Sequence, residues 1–97
     1  MNKVDHKGVT QLVELPNVGK AIAKLFALVD IHTPQDLVGK DPCQLYRELC
    51  IRTGQRHDPC VLDVFMSAVH FMEKGEALQW WKFTPERKLL DLELLLA

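Results

Sequence analysis

The residues most able to do chemistry lie in one short run, Leu15-Pro16-Asn17-Val18-Gly19-Lys20-Ala21-Ile22-Ala23. A chain that reverses between two helices in so few residues needs positions that tolerate positive φ or lack a side chain. Gly19 supplies that freedom directly, and Asn17 is among the residues that best enter the left-handed region. Val18 between them is suited to plug the gap between the helices, and Ala21 and Ala23 are small enough for close helix approach. Such a turn leaves unpaired amides at the start of the second helix. Those amides and the positive end of the helix dipole attract a phosphate or carboxylate. Lys20 and Lys24, one helical turn apart, add a direct cationic contact.

Other groupings carry weaker chemistry. Arg52-Thr53-Gly54-Gln55-Arg56-His57-Asp58 reads as a second turn of the same kind, with Gly54, Gln55, Arg56 and His57 at its centre and Arg52, Arg56 and His57 as phosphate partners. Asp58 works against that role, because a capping carboxylate competes with phosphate for the same amides. Cys43, Cys50, His57 and Cys60 follow a C-x6-C-x6-H-x2-C spacing. Structural zinc sites bring paired ligands about two to four residues apart, so reduced, buried thiols are expected and no metal. His6, His32 and His70 have no ligand or catalytic spacing, no Ser-His-Asp or Cys-His grouping stands out, and no glycine-rich nucleotide loop is present. Neither an enzyme nor a cofactor is expected. Trp80 and Trp81 either stack on unpaired bases or cap the core or an interface.

The elements that must position these residues are marked by proline. Thr33-Pro34, Asp41-Pro42, Asp58-Pro59 and Thr84-Pro85 each set a capping oxygen before a residue that has no amide to leave unpaired. Ile22, Leu25, Phe26 and Val29, and again Leu62, Phe65, Met66 and Val69, fall on one helical face. The pattern predicts helices over 9–14, 20–29, 42–52 and 59–74, a one-turn connector over 34–38, an irregular segment over 78–83 and a last helix from 85 toward 97. Nothing alternates at period two. The expected fold is all-α, a compact bundle of about five to six short helices in a single domain over 1–97. Its end, 84–97, is leucine-rich, with six leucines between Leu89 and Leu96, and Leu92, Leu95 and Leu96 with Trp80 and Trp81 form a candidate partner or dimer surface.

The chain has 97 residues, 47% of them hydrophobic, and a net charge of -1 from 12 basic and 13 acidic side chains. That balance argues against broad, charge-driven nucleic-acid affinity and leaves binding to local donors. No apolar run is long enough to span a membrane. Three cysteines and a polar start without a targeting pattern lead to the expectation of a cytoplasmic protein.

Residues 15–23 resemble the helix-hairpin-helix motif of DNA repair and recombination proteins, whose hairpin touches the sugar-phosphate backbone without reading bases. Asn17 stands where the usual Gly-Val-Gly turn has its first glycine. The hairpin also resembles that of the C-terminal domain of a bacterial competence regulator. Further matches are Asp36-Leu37-Val38-Gly39, Asp41-Pro42, Leu45-Tyr46, Gly54, Asp58-Pro59-Cys60-Val61-Leu62, Ala68-Val69 and Leu78-Gln79-Trp80-Trp81-Lys82-Phe83. Together they resemble the small bacterial pathogenicity-locus or mitomycin-resistance family, over residues 12–88. The resemblance implies one helix-hairpin-helix unit with a second pseudo-copy, in a SAM-domain-like bundle. It also implies weak, sequence-independent DNA binding in a DNA repair or damage-resistance setting. The rival expectation is a protein-interaction module in which the hairpin is only structural.

Overall fold

The computed structural model describes residues 8–90. Four α-helices, α1 (Lys20–Leu28), α2 (Pro42–Thr53), α3 (Pro59–Lys74) and α4 (Thr84–Lys88), are joined by 3-10 turns at Leu12–Glu14, Pro34–Leu37 and Trp80–Phe83. The all-α expectation holds among these residues.

The starts of α2 and α3 follow from their Asp-Pro pairs. Asp41 Oδ1 accepts from the Cys43 amide at 2.9 Å and Asp58 Oδ1 from the Cys60 amide at 2.8 Å, each filling a donor that a first turn leaves unpaired. Both helices stop at a left-handed glycine, Gly54 at φ 68° and Gly75 at φ 73°, a conformation that costs an L side chain about 1–2 kcal/mol.

α3 is the axis of the fold. Every residue from Leu62 to Val69 is buried, because α3 packs against α2, α4 and the two 3-10 turns at Pro34–Leu37 and Trp80–Phe83. A helix enclosed on all sides must be apolar nearly all round. Phe26 of α1 stacks on Phe65 with ring centroids 4.5 Å apart, and Tyr46, Leu49, Leu62 and Phe71 complete a single buried cluster with no or almost no exposed surface.

Three elements depart from expectation. The predicted helix over 9–14 is only the 3-10 turn Leu12–Glu14. Pro16 holds Leu15 extended, at φ -74° and ψ 148°, and the Glu14 carboxylate accepts from the Thr10 and Gln11 amides at 2.9 and 2.8 Å. That bonding closes a turn too short to propagate. The segment 78–83, expected to be irregular, ends in the turn Trp80–Phe83. Thr84, expected to cap the last helix, lies inside α4. Its hydroxyl donates instead to Asp63 Oδ2 at 2.7 Å. Of the leucine-rich end, Leu92, Leu95 and Leu96 lie outside the described residues, as does His6.

Candidate nucleic-acid interface

The chain between the first 3-10 turn and α1 is built around two buried plugs and one left-handed asparagine. Leu15 and Val18 are buried, so the turn is nailed to the core on either side of Pro16-Asn17. The Val18 amide donates to the Leu15 carbonyl at 3.2 Å. Asn17 takes φ 67°, and its side-chain amide donates to the Leu78 carbonyl at 2.8 Å and to Ser67 Oγ at 3.2 Å. Ser67 is itself fully buried and donates to the Val64 carbonyl at 2.8 Å. The side chain of Asn17 therefore faces inward and fixes the turn.

Gly19 departs from the sequence expectation. Its φ of -100° and ψ of -169° are open to any residue, and a Cβ added there would meet nothing within 4 Å. The left-handed step falls on Asn17 instead, because that side chain has buried partners to reward it. Gly19 occupies the N-cap of α1, where no side chain among the described residues caps the helix. The first internal bond there is the Ala23 amide to the Gly19 carbonyl, at 3.0 Å. Lys20, Ala21 and Lys24 are exposed, and Ile22, Ala23 and Leu25 turn partly toward the core around buried Phe26. Asn17, Val18, Gly19, Lys20 and Lys24 are thus brought together, with the first two as support and the last three at the surface.

The second turn is built differently. Gly54 and Gln55 close the end of α2 through backbone bonds to Ile51 and Cys50, at 3.3 and 3.2 Å. His57 is half-buried. Its carbonyl accepts from the Tyr46 hydroxyl and its Nε2 lies 2.9 Å from Thr53 Oγ1. The Thr53 hydroxyl donates to the Leu49 carbonyl, so Nε2 of His57 acts as donor to it. Burial, with Cys50 next in weight, pushes the Tyr46 phenol up to about 12. The amides that open α3 already face Asp58, whose carboxyl is held below its ordinary range chiefly by the Cys60 amide. Gln55 and Arg56 are exposed.

Arg52 is not available as a phosphate partner of that turn. Its guanidinium donates to the Leu28 carbonyl and Asp30 Oδ2, both at 3.0 Å, and to Glu48 Oε1 at 3.0 Å. It ties the end of α1 to α2. Nothing in sequence spacing signals this, because Asp30 is brought to Arg52 only by its own positive φ of 66° and the crossing of the two helices.

Sequence reasoning also missed Asp63. It is fully buried, and its Oδ1 accepts from Arg87 Nε at 2.9 Å while Oδ2 accepts from Thr84. This pair holds α4 against α3. The available signal was a lone carboxylate inside the apolar run Val61–Met66, which demands a buried partner. Beyond α4's near side, Trp80 and Trp81 meet edge to face, with ring centroids 5.6 Å apart and planes at 84°. Trp80 packs partly on the core, while Trp81 is 52% exposed. The three thiols, Cys43, Cys50 and Cys60, are free. No grouping of three metal-ligating side chains occurs among the described residues, and no helix among them is long and apolar enough to cross a membrane.

These features define a class: a small all-helical protein whose first α-helix opens on a bare glycine beside two surface lysines. The chain belongs to the pathogenicity locus (Cdd1) family, whose profile matches residues 5–89. It is 43% identical over 81 residues to a mitomycin resistance protein, McrB, of Streptomyces lavendulae. The match covers 84% of this chain and 77% of that protein. No solved structure matches the chain.

Proposed function

We propose that this protein binds the sugar-phosphate backbone of DNA without reading base sequence, and that it serves resistance to DNA damage. Gly19, Lys20 and Lys24 make the contact, and Asn17 and Val18 hold the turn that presents them. The observation that carries this reading is the bare start of α1. α2 and α3 fill their first amides with Asp41 and Asp58, whereas α1 begins at a glycine whose missing side chain would have touched only solvent. Internal packing therefore gives no reason for glycine at that position. Access of an anion to the Gly19, Lys20 and Ala21 amides does give one. The relative's description as a mitomycin resistance protein supports the damage-resistance setting. The second turn takes the structural part, since Asp58 already occupies the amides beside it.

Fluorescence anisotropy of labelled duplex and branched DNA, at low and at moderate salt, tests the reading. Binding that weakens steeply as salt rises and is lost in Gly19→Asp and Lys20→Glu is the expected result. Affinity equal in the wild type and both variants would remove the turn from the interface.

A second reading rests on Leu89, which stands 86% exposed at the end of α4, where the leucine-rich segment begins. In it the segment binds a protein partner or a second copy, through burial that survives high salt. A monomeric mass in light scattering at high salt, with no protein partner retained, would count against it.

A further inference from the structure

We propose that the corner formed by Trp80 and Trp81 receives an unpaired base of the same DNA strand whose backbone rests on the Gly19 turn. This inference rests on the backbone-binding reading above and narrows its substrate to DNA with single-stranded character.

Three observations converge on the corner. First, the indoles stand nearly perpendicular, at 84°, and Trp81 is half-exposed, so its ring is open to a ligand. A planar ring stacked on one indole meets the other edge-on, the two arrangements that aromatic rings favour. Second, the corner opens into a cleft of about 630 Å³ lined by Cys60, Trp80, Trp81, Pro85, Arg87 and Lys88. Exposed Lys88 and half-buried Arg87 stand in its wall, and Lys82, next to Trp81 in the chain, is exposed. Arg87 is matched by the buried Asp63, so in the segment from Trp80 to Lys88 the cations Lys82 and Lys88 stand against one carboxylate, Glu86. An apolar slot edged by cations suits a base on an anionic backbone, the combination used by single-strand binding surfaces.

Third, the corner is mechanically continuous with the turn. Asn17 donates to the carbonyl of Leu78, two residues before Trp80, and Asn17 itself lies two residues before Gly19. Each two-residue step spans at most about 7.6 Å between Cα atoms. The bare amides and the first indole are therefore linked through one hydrogen bond, within the span of a short single strand. A fully paired duplex keeps its bases stacked and offers the corner nothing to hold, whereas an unpaired base carries little unstacking cost.

The chain has two tryptophans, so its indole emission reports on this corner directly. The test titrates the full-length protein at low salt with an oligothymidylate of about ten nucleotides and separately with a duplex. Quenching by the single strand is expected, with affinity about tenfold weaker in Trp81→Ala and largely retained in Trp81→Phe. Duplex binding should be equal in all three. Trp81 is half-exposed, so neither substitution should unfold the protein, and circular dichroism checks that. Absence of quenching, or equal single-strand affinity in Trp81→Ala and wild type, overturns the proposal. If duplex binding still requires Gly19 in that case, the turn stands and the corner alone is wrong. If quenching depends on Trp81 while Gly19→Asp changes nothing, the turn is wrong and the corner stands.

Discussion

Asn17 and Leu78, separated by 61 residues in sequence, are joined by a 2.8 Å hydrogen bond from the asparagine side chain to the leucine carbonyl. The bond ties the turn before α1 to the strand of chain that leads into Trp80 and Trp81. It also explains why asparagine rather than glycine occupies the left-handed position. Glycine would adopt the dihedral freely, but it has no amide with which to reach Leu78 and Ser67.

Two contributions at Asn17 can be separated. Asn17→Ala loses both hydrogen bonds and forces a methyl side chain into the left-handed region, so a loss of about 2–3 kcal/mol is expected. Asn17→Gly keeps the dihedral and loses only the bonds, and its loss should be smaller by about 1 kcal/mol. Urea unfolding of the two variants measures the difference. Equal losses would show that the bonds alone hold the turn.

Gly19 predicts the opposite pattern, a functional effect without a structural one. Its dihedrals are ordinary and the space beside it is open. Gly19→Ala should therefore change the unfolding free energy by less than about 1 kcal/mol. A methyl group above the bare amides nevertheless obstructs an approaching phosphate, so DNA affinity should fall. Anisotropy on a variant with unchanged thermal unfolding checks both halves. Full affinity in Gly19→Ala would exclude close approach at this position.

The Asp63–Arg87 pair should behave as a buried charge pair. Arg87→Met strands a fully buried carboxylate with only the Thr84 hydroxyl for company, and a loss of about 3 kcal/mol is expected. Combining Arg87→Met with Asp63→Leu removes the stranded charge and should recover much of that loss. Chemical denaturation of the single and double variants decides it. A double variant no better than the single would mean that the pair matters for the position of α4 more than for its charge.

Acid sensitivity follows from three carboxylates. Glu14, Asp36 and Asp58 are each held below the ordinary carboxylate range, chiefly by backbone amides of Thr10, His32 and Cys60 respectively. Because the folded values are depressed, the stability they supply is present above the unfolded value, about 4, and is lost as pH falls through the folded values. Melting temperature should hold from neutral pH down to about 5 and fall below 4. Glu14→Gln, which cannot ionise, should flatten part of that fall.

Tyr46 predicts the alkaline side. Its folded value, about 12, lies above that of a free phenol chiefly because of burial. The neutral ring's contribution is complete below the unfolded value of about 10 and disappears as pH rises through about 12. Tyr46→Phe removes this alkaline dependence. It also orphans the His57 carbonyl, at a cost of about 1 kcal/mol near neutral pH. Melting curves in alkaline buffers compare the two proteins.

Local physics made much of this fold legible in advance. The Asp-Pro pairs, the left-handed glycines and the apolar spacing around Phe26 and Phe65 act within a turn or two of chain. They placed α2 and α3 almost to the residue. They also set Gly19, Lys20 and Lys24 at the surface, with Asn17 and Val18 beneath them as support. Where a local cue failed, a distant partner had overruled it. Thr84 gave its hydroxyl to Asp63 instead of capping α4, and Arg52 turned to Asp30 and the Leu28 carbonyl instead of facing a ligand.

What the sequence determined by itself was the helical class, the punctuation of its main helices and the run from Leu15 to Ala23, because propensity, capping and periodicity are written in neighbouring residues. What the tertiary structure alone decided was the division of labour inside that run and its tie to the tryptophan corner. Asn17 rather than Gly19 takes the left-handed step because Ser67 and Leu78 are there to receive its amide. That encounter between residues 50 and 61 positions apart exists only once α3 and the segment after it have packed.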